Sequence, residues 1–182
     1  MTILGSSTLD KIVHKDSITN PAQILQKLDK EIYAALEQKN EINPNLREGM
    51  DISVCVFAYQ NQTFSFAGAK SRAFYFHHDQ MTVLDGDKTS IGSQRKNEMT
   101  FSTQQFDFEK GDKLYFFSDG LPDQFGGKHN RKYLTRRLKN FVSTKLRFLQ
   151  VKEQKEKLIE ELENWQGDRH QIDDIIFVGI EL

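Results

Sequence analysis

The sequence predicts an α+β fold built around an antiparallel sheet. Apolar residues between 21 and 39 recur at helical spacing, which marks an amphipathic helix. Short apolar runs between 52 and 117 are separated by tight-turn residues, as hairpins require. Helical patterns gather in blocks on either side of these runs and do not alternate with them, so the sheet is not of the βαβ kind. The chain has 182 residues, without internal repeats or low-complexity linkers, and fits one domain spanning 1–182.

The elements follow in order. Residues 1–15 are loosely helical through Ile3, Leu4, Leu9, Ile12 and Val13. Thr19-Asn20-Pro21 supplies a cap and a first-turn proline, and Ile24, Leu25, Leu28, Ile32, Ala35 and Leu36 continue a helix over 21–39. Residues 40–50 are a polar loop. Ile52–Tyr59 is an apolar run of strand length, Asn61-Gln62 turns the chain, and Thr63–Ala67 returns. Arg72–His77 and Met81–Leu84 are further strands, the second ending at Asp85-Gly86. Residues 86–98 read as a loop, and Thr100–Phe108 alternates as a strand. Lys110-Gly111-Asp112 turns into a buried strand, Lys113–Phe117. Arg131–Phe148 and Val151–Trp165 carry helical spacing, the second with a charged face suited to solvent. Gly167 stands where a helix stop belongs, and Ile175–Ile180 is a last, fully apolar strand.

Composition excludes several functions. With 25 basic and 26 acidic residues the net charge is −1, which steers the chain toward neither nucleic acid nor anionic membrane. No run reaches the roughly 20 apolar residues of a membrane-spanning helix, and residues 1–15 do not form a signal peptide. The lone cysteine, Cys55, sits in an apolar run and reads as a small buried hydrophobe. A cytoplasmic location is the resulting expectation.

Two acidic motifs share a context. Ser118-Asp119-Gly120 follows one buried strand, and Asp173-Asp174 precedes another. Carboxylates at strand ends can converge on one rim of a sheet, and hard divalent cations favour such oxygen ligands. Asp-Gly after a strand is also an ordinary turn, so neither motif alone decides the matter.

The ordered series of motifs is more specific. Gly49-Met50-Asp51-Ile52, Phe66-Ala67-Gly68-Ala69, Ile91-Gly92, Lys110-Gly111-Asp112, Leu114-Tyr115-Phe116-Phe117-Ser118-Asp119-Gly120, Asp123-Gln124-Phe125-Gly126-Gly127 and Gln171-Ile172-Asp173-Asp174-Ile175 occur in that order. Together they resemble the SpoIIE-like bacterial branch of the PPM-type metal-dependent serine/threonine protein phosphatases across nearly the whole chain. The resemblance implies an antiparallel β-sandwich flanked by helices, with a two-metal site for Mn²⁺ or Mg²⁺ at one edge. It implies hydrolysis of phosphoserine or phosphothreonine on a regulatory protein by a metal-activated water, in bacterial signalling and without a phospho-enzyme. Asp119 and Asp173 are the implied metal ligands, with Gly120 and Asp174 beside them; Ser118 reads as a turn residue. The implied partners are a phosphorylated protein substrate and either a second copy of the chain or an upstream sensor domain.

The resemblance also breaks at one point. The family's early metal aspartate stands before a Gly-His-Gly motif, and none of His14, His77, His78, His129 or His170 occurs in that context. The expectation is therefore the C-terminal portion of the domain, lacking its first strands and one carboxylate of its two-metal site. A catalytically inactive module for protein binding or dimerisation is the alternative. His77 and His78, adjacent in a predicted strand, point to opposite faces and are not expected to share a metal.

Overall fold

The structure, a computed structural model, describes residues 2–40, 49–93 and 99–182; most of the predicted loop at 40–50 lies outside them. Two compact units divide the chain, one formed by residues 1–72 and 84–108, the other by 73–83 and 109–182.

The first unit opens with α1 (Thr2–Asp10), a wide helical turn over Lys11–Lys15, and α2 (Pro21–Asn40). Asn20 caps α2 as its sequence predicts, its side-chain oxygen accepting the Gln23 N–H at 3.1 Å. The apolar stripe of α2, from Ile24 to Leu36, is buried with Ile12, Ala67, Ala69 and Ile91. Its sheet contains β1 (Ile52–Ala58), β2 (Thr63–Ala69) and β5 (Gln104–Asp107) in the order β1-β2-β5, all antiparallel. Gln62 closes the β1–β2 hairpin in the left-handed region at φ 51°. Cys55, half-buried on β1, has its thiol pushed up to about 12 by burial, which makes it inert. The motif Ile91-Gly92 has a structural reason here. Gly92 donates its N–H to the buried Asp29 carboxylate at 3.0 Å, and a Cβ there would stand 2.7 Å from Ile32.

The strand predicted over Thr100–Phe108 is shorter than its alternation suggests. Only Gln104–Asp107 joins the ladder, because Ser102 is drawn aside by Asp87, which accepts both its N–H and its hydroxyl.

The second unit is built on the antiparallel sheet β4-β3-β6-β9, from β3 (Arg72–His77), β4 (Gln80–Asp85), β6 (Lys113–Phe117) and β9 (Phe177–Glu181). Phe74, Phe76 and Tyr115 of the sheet are buried with Leu138, Phe141 and Val142 of α4 (Thr135–Thr144) and Leu158 of α5 (Val151–Gln166). Each such large side chain contributes about 1.5–3 kcal/mol on burial. The charged face of α5 is exposed, and Gln150 and Glu153 form a capping box at its start.

Three predicted elements change here. The helix expected over Arg131–Phe148 is interrupted: α4 begins only at Thr135, after β7 (Phe125–Gly126) and β8 (Arg131–Lys132) pair as a small hairpin. The cause is local, since Tyr133 and Leu134 donate their N–H groups to Gln124 and Pro122, and Leu134 has φ 71°. The last strand starts at Phe177, and it is not fully buried, with Ile176 and Val178 exposed. Finally, His78 is not in a strand. His78 and Asp79 form the two-residue β3–β4 turn with φ 43° and 67°, the positive pair of a type I′ hairpin. The alternation that would send His77 and His78 to opposite faces therefore does not apply, and their rings lie 4.0 Å apart.

Asp112 anchors this corner. It is 6% exposed and accepts the Glu109 N–H at 2.8 Å, the Tyr75 hydroxyl at 2.7 Å and His77 Nδ1 at 2.8 Å. Burial opposes its charge, but the donors from Glu109, His77 and Tyr75 outweigh that and hold its carboxyl below the usual aspartate range. A depressed native value stabilises the fold above the unfolded carboxyl value of about 3.9 and is lost as pH falls through the lower native value. Chemical denaturation of Asp112→Ala is expected to show a loss of about 1–3 kcal/mol at neutral pH. Below about pH 4 the gap between wild type and variant should narrow.

Candidate metal centre

The two acidic motifs are brought to one place by the pairing of β6 with β9. The register runs Lys113↔Glu181 to Phe117↔Phe177. Beyond the strand ends the pairing continues through a side chain. Ser118 donates its N–H to the Ile176 carbonyl at 3.0 Å. Its hydroxyl accepts the Ile176 N–H at 2.9 Å and donates to the Asp174 carbonyl at 2.9 Å. Ser118 is thus a fastener between the two motifs, a role its reading as a turn residue did not include.

Gly120 completes the approach. A Cβ at this position would stand 2.3 Å from the Asp174 carbonyl oxygen and 3.0 Å from its carbon. No other residue lets the two backbones meet this closely. The neighbour this glycine accommodates is the Asp173-Asp174 backbone. Asp119 itself precedes the short turn α3 (Gly120–Asp123) and makes no capping bond with its side chain.

The three aspartates at this sheet end are exposed. Asp173 accepts the Asp174 N–H through Oδ1 at 2.8 Å, and Gln171 donates to the Asp173 carbonyl at 2.7 Å. These bonds fix the turn just ahead of β9. Among the described residues no hydrogen bond or ion pair engages the Asp119 or Asp174 carboxylates, so their oxygens face solvent. An all-oxygen, carboxylate donor set of this kind suits Mg²⁺ or Mn²⁺. The three carboxylates do not bring three ligand atoms within 4.8 Å of one another; among the described residues the group that does is His77, His78 and Glu109.

A second clamp braces the same region. Gly126 lies so close to the end of α5 that a Cβ would stand 2.0 Å from the Trp165 carbonyl oxygen. Gly127 donates its N–H to that oxygen at 2.8 Å, and Trp165 Nε1 donates to the Gln124 carbonyl at 3.1 Å. The fully buried Gln124 reaches across to the His170 carbonyl at 3.1 Å. Asp123-Gln124-Phe125-Gly126-Gly127 thereby ties the segment after Asp119 to the segment before Asp173. Sequence reasoning named this motif but not its contacts, because the partner Trp165 is distant along the chain.

The arrangement of elements is that of the PP2C phosphatase fold. The SiaA-PP2C domain of Pseudomonas aeruginosa matches with a TM-score of 0.85 at 23% identity, over 100% of this chain and 68% of that one. The Mn-presoaked phosphatase domain of SpoIIE from Bacillus subtilis matches with a TM-score of 0.55 at 19% identity, over 98% and 73% of the two chains. The catalytic domain of the serine threonine protein phosphatase PstP, in complex with 2 manganese ions, matches with a TM-score of 0.59 at 17% identity, over 97% and 79%. No curated protein sequence matches the chain. The family model for stage II sporulation protein E (SpoIIE) matches residues 1–182, and the chain belongs to that family.

Gly120→Ala forces the new methyl group onto the Asp174 carbonyl, and overpacking of this kind costs about 1–3 kcal/mol. Urea denaturation is expected to show that loss with little change in the denaturant slope. Gly111→Ala is a less direct comparison, because a Cβ there meets nothing within 4 Å but the residue has φ 96°.

Proposed function

We propose that residues 1–182 belong to one SpoIIE-like phosphatase domain and that it hydrolyses phosphoserine or phosphothreonine on a regulatory protein. The observation that carries this reading is the fastening of Asp119 to Asp173-Asp174 by Ser118 and Gly120, which sets carboxylates at one sheet end. Family membership over 1–182 supports it. The manganese present in the PstP structure supports the choice of cation.

Asp119 and Asp173 would hold Mn²⁺ or Mg²⁺, with Asp174 beside them as a hydrogen-bonding neighbour. A divalent cation held there would supply positive charge against the phosphoryl oxygens and would lower the pKa of water toward neutrality. The protein's own contribution is placement. Ser118, Gly120 and Gln171 fix the backbone on which the two ligands ride, so that little reorganisation is needed when substrate arrives. The new bond joins the water oxygen to phosphorus and the broken one releases the serine or threonine oxygen, which takes a proton; the products are inorganic phosphate and the free hydroxyl. The ionic radius and oxygen preference that select Mn²⁺ and Mg²⁺ argue against a softer metal at this edge.

Turnover of p-nitrophenyl phosphate and of a phosphothreonine peptide tests the reading. Hydrolysis is expected only with Mn²⁺ or Mg²⁺, and Asp119→Asn and Asp173→Asn are each expected to lower it by more than the ~10–100-fold typical of groups outside the coordination sphere. Turnover without a divalent cation, or unaffected by Asp119→Asn, contradicts the assignment. Mn²⁺ binding without turnover favours the alternative, a catalytically inactive module for protein binding or dimerisation.

A further inference from the structure

An open cavity lies beside the small hairpin of β7 and β8, where α4 begins. Its volume is about 520 Å³, within the range of ligand pockets. Arg131, Lys132, Arg136 and Arg137 line it together with Tyr133 and Trp165. Four cations around one cavity are a local concentration of positive charge in a chain whose net charge is −1. We propose that this cavity docks an acidic segment of a partner protein, whose aspartate or glutamate carboxylates pair with Arg131 and Arg136.

The chain itself shows the chemistry the cavity takes. Two of the four cations already hold carboxylates of this same protein. Lys132 Nζ donates to Asp123 Oδ2 at 2.9 Å, and Arg137 Nε stands 3.5 Å from Glu161 Oε1. The other two are exposed, and among the described residues no hydrogen bond or ion pair engages the Arg131 or Arg136 guanidinium. Each presents a planar fork of donors that matches a carboxylate bidentately. The helix does not call for these charges. The first turn of α4 carries Arg136 and Arg137 and no acidic residue, the reverse of what the positive end of a helix favours.

The shape of the site separates a protein segment from other polyanions. Arg137 lies 4.2 Å over the Trp165 ring and 5.3 Å over the Tyr133 ring, so it occupies aromatic surface on which a nucleic-acid base would stack. A recess also suits a side chain better than it suits the plane of a bilayer. Leu134, a large apolar side chain 52% exposed, lines the same cavity and offers a contact that a peptide uses and a bare phosphate does not. The wall is held in place before anything binds, because Trp165 Nε1 donates to the Gln124 carbonyl at 3.1 Å and Tyr133 is buried. The site uses neither Asp119 nor Asp173, so it stands or falls apart from the proposed hydrolysis.

Trp165 is the single tryptophan of the chain, so its fluorescence reports on the cavity. Titration of the full chain with a short peptide of alternating glutamate and alanine, beside its glutamine counterpart, tests the proposal, with calorimetry as a second readout. Saturable binding is expected with the glutamate peptide and not with the glutamine one. Arg131→Gln and Arg136→Gln, both at exposed positions, should each weaken it ~5–10-fold, between the loss of an exposed ion pair and that of a charge-assisted hydrogen bond. Lys110→Gln, which removes an exposed cation ahead of β6, should leave binding unchanged. Circular dichroism checks that each variant is folded. Absence of saturable binding to the folded wild type by both readouts overturns the proposal, as does equal binding of the glutamine peptide or an affinity untouched by both arginine substitutions. Inorganic phosphate, an RNA oligonucleotide or phosphatidylserine vesicles that displace the peptide at equal charge would overturn the assignment to a protein segment.

Discussion

The antiparallel pairing of β6 with β9 is the constraint on which the candidate centre rests. These strands are far apart in the chain, and their register alone decides which residues meet at the sheet end. With Phe117 opposite Phe177, Ser118-Asp119-Gly120 follows the one directly and Asp173-Asp174 leads to the other through Ile175-Ile176. Ordinary ladder bonds would end there. The Ser118 hydroxyl extends them by accepting one N–H and donating to one carbonyl, and Gly120 removes the side chain that would hold the two backbones apart. A slip of one residue would turn every side chain of β9 to the other face. The packing of Tyr115 against Phe177, ring centroids 5.6 Å apart, opposes that slip.

Around this seam the second unit divides its polar chemistry. Asp119, Asp173 and Asp174 offer carboxylate oxygen alone at an exposed edge, a donor set for hard cations. His77, His78 and Glu109 gather at the hairpin turn, with a buried carboxylate behind. Among the described residues no helix is long and apolar enough to cross a membrane.

Local features were the legible part of the sequence. The start of α2 at Asn20-Pro21, its apolar stripe, and the turn at Asn61-Gln62 all depend on residues within a few positions of one another. That the segments of Asp119 and Asp173 meet at one sheet end was also legible, since each sits beside an apolar run. What the sequence concealed depends on distant partners or on weak turn signals. Gly126 meets Trp165, and Ser118 meets Asp174, contacts that no local spacing encodes. His78-Asp79 lacks the Asn-Gly or Asp-Gly pair that announces a type I′ turn, so the turn that brings the two histidines together gave no local signal. The helix predicted over Arg131–Phe148 failed for a similar reason. The helical spacing of Tyr133 and Leu134 was real, but their N–H groups are taken by Gln124 and Pro122.

In the proposed function two segments distant in sequence, Asp119–Leu121 and Ile172–Ile175, form one cation-holding edge. Paramagnetic broadening of backbone amide signals by substoichiometric Mn²⁺ tests this most directly. The amides of both segments are expected to broaden first and together. Broadening centred on His77–Asp79, or confined to one of the two segments, would contradict it.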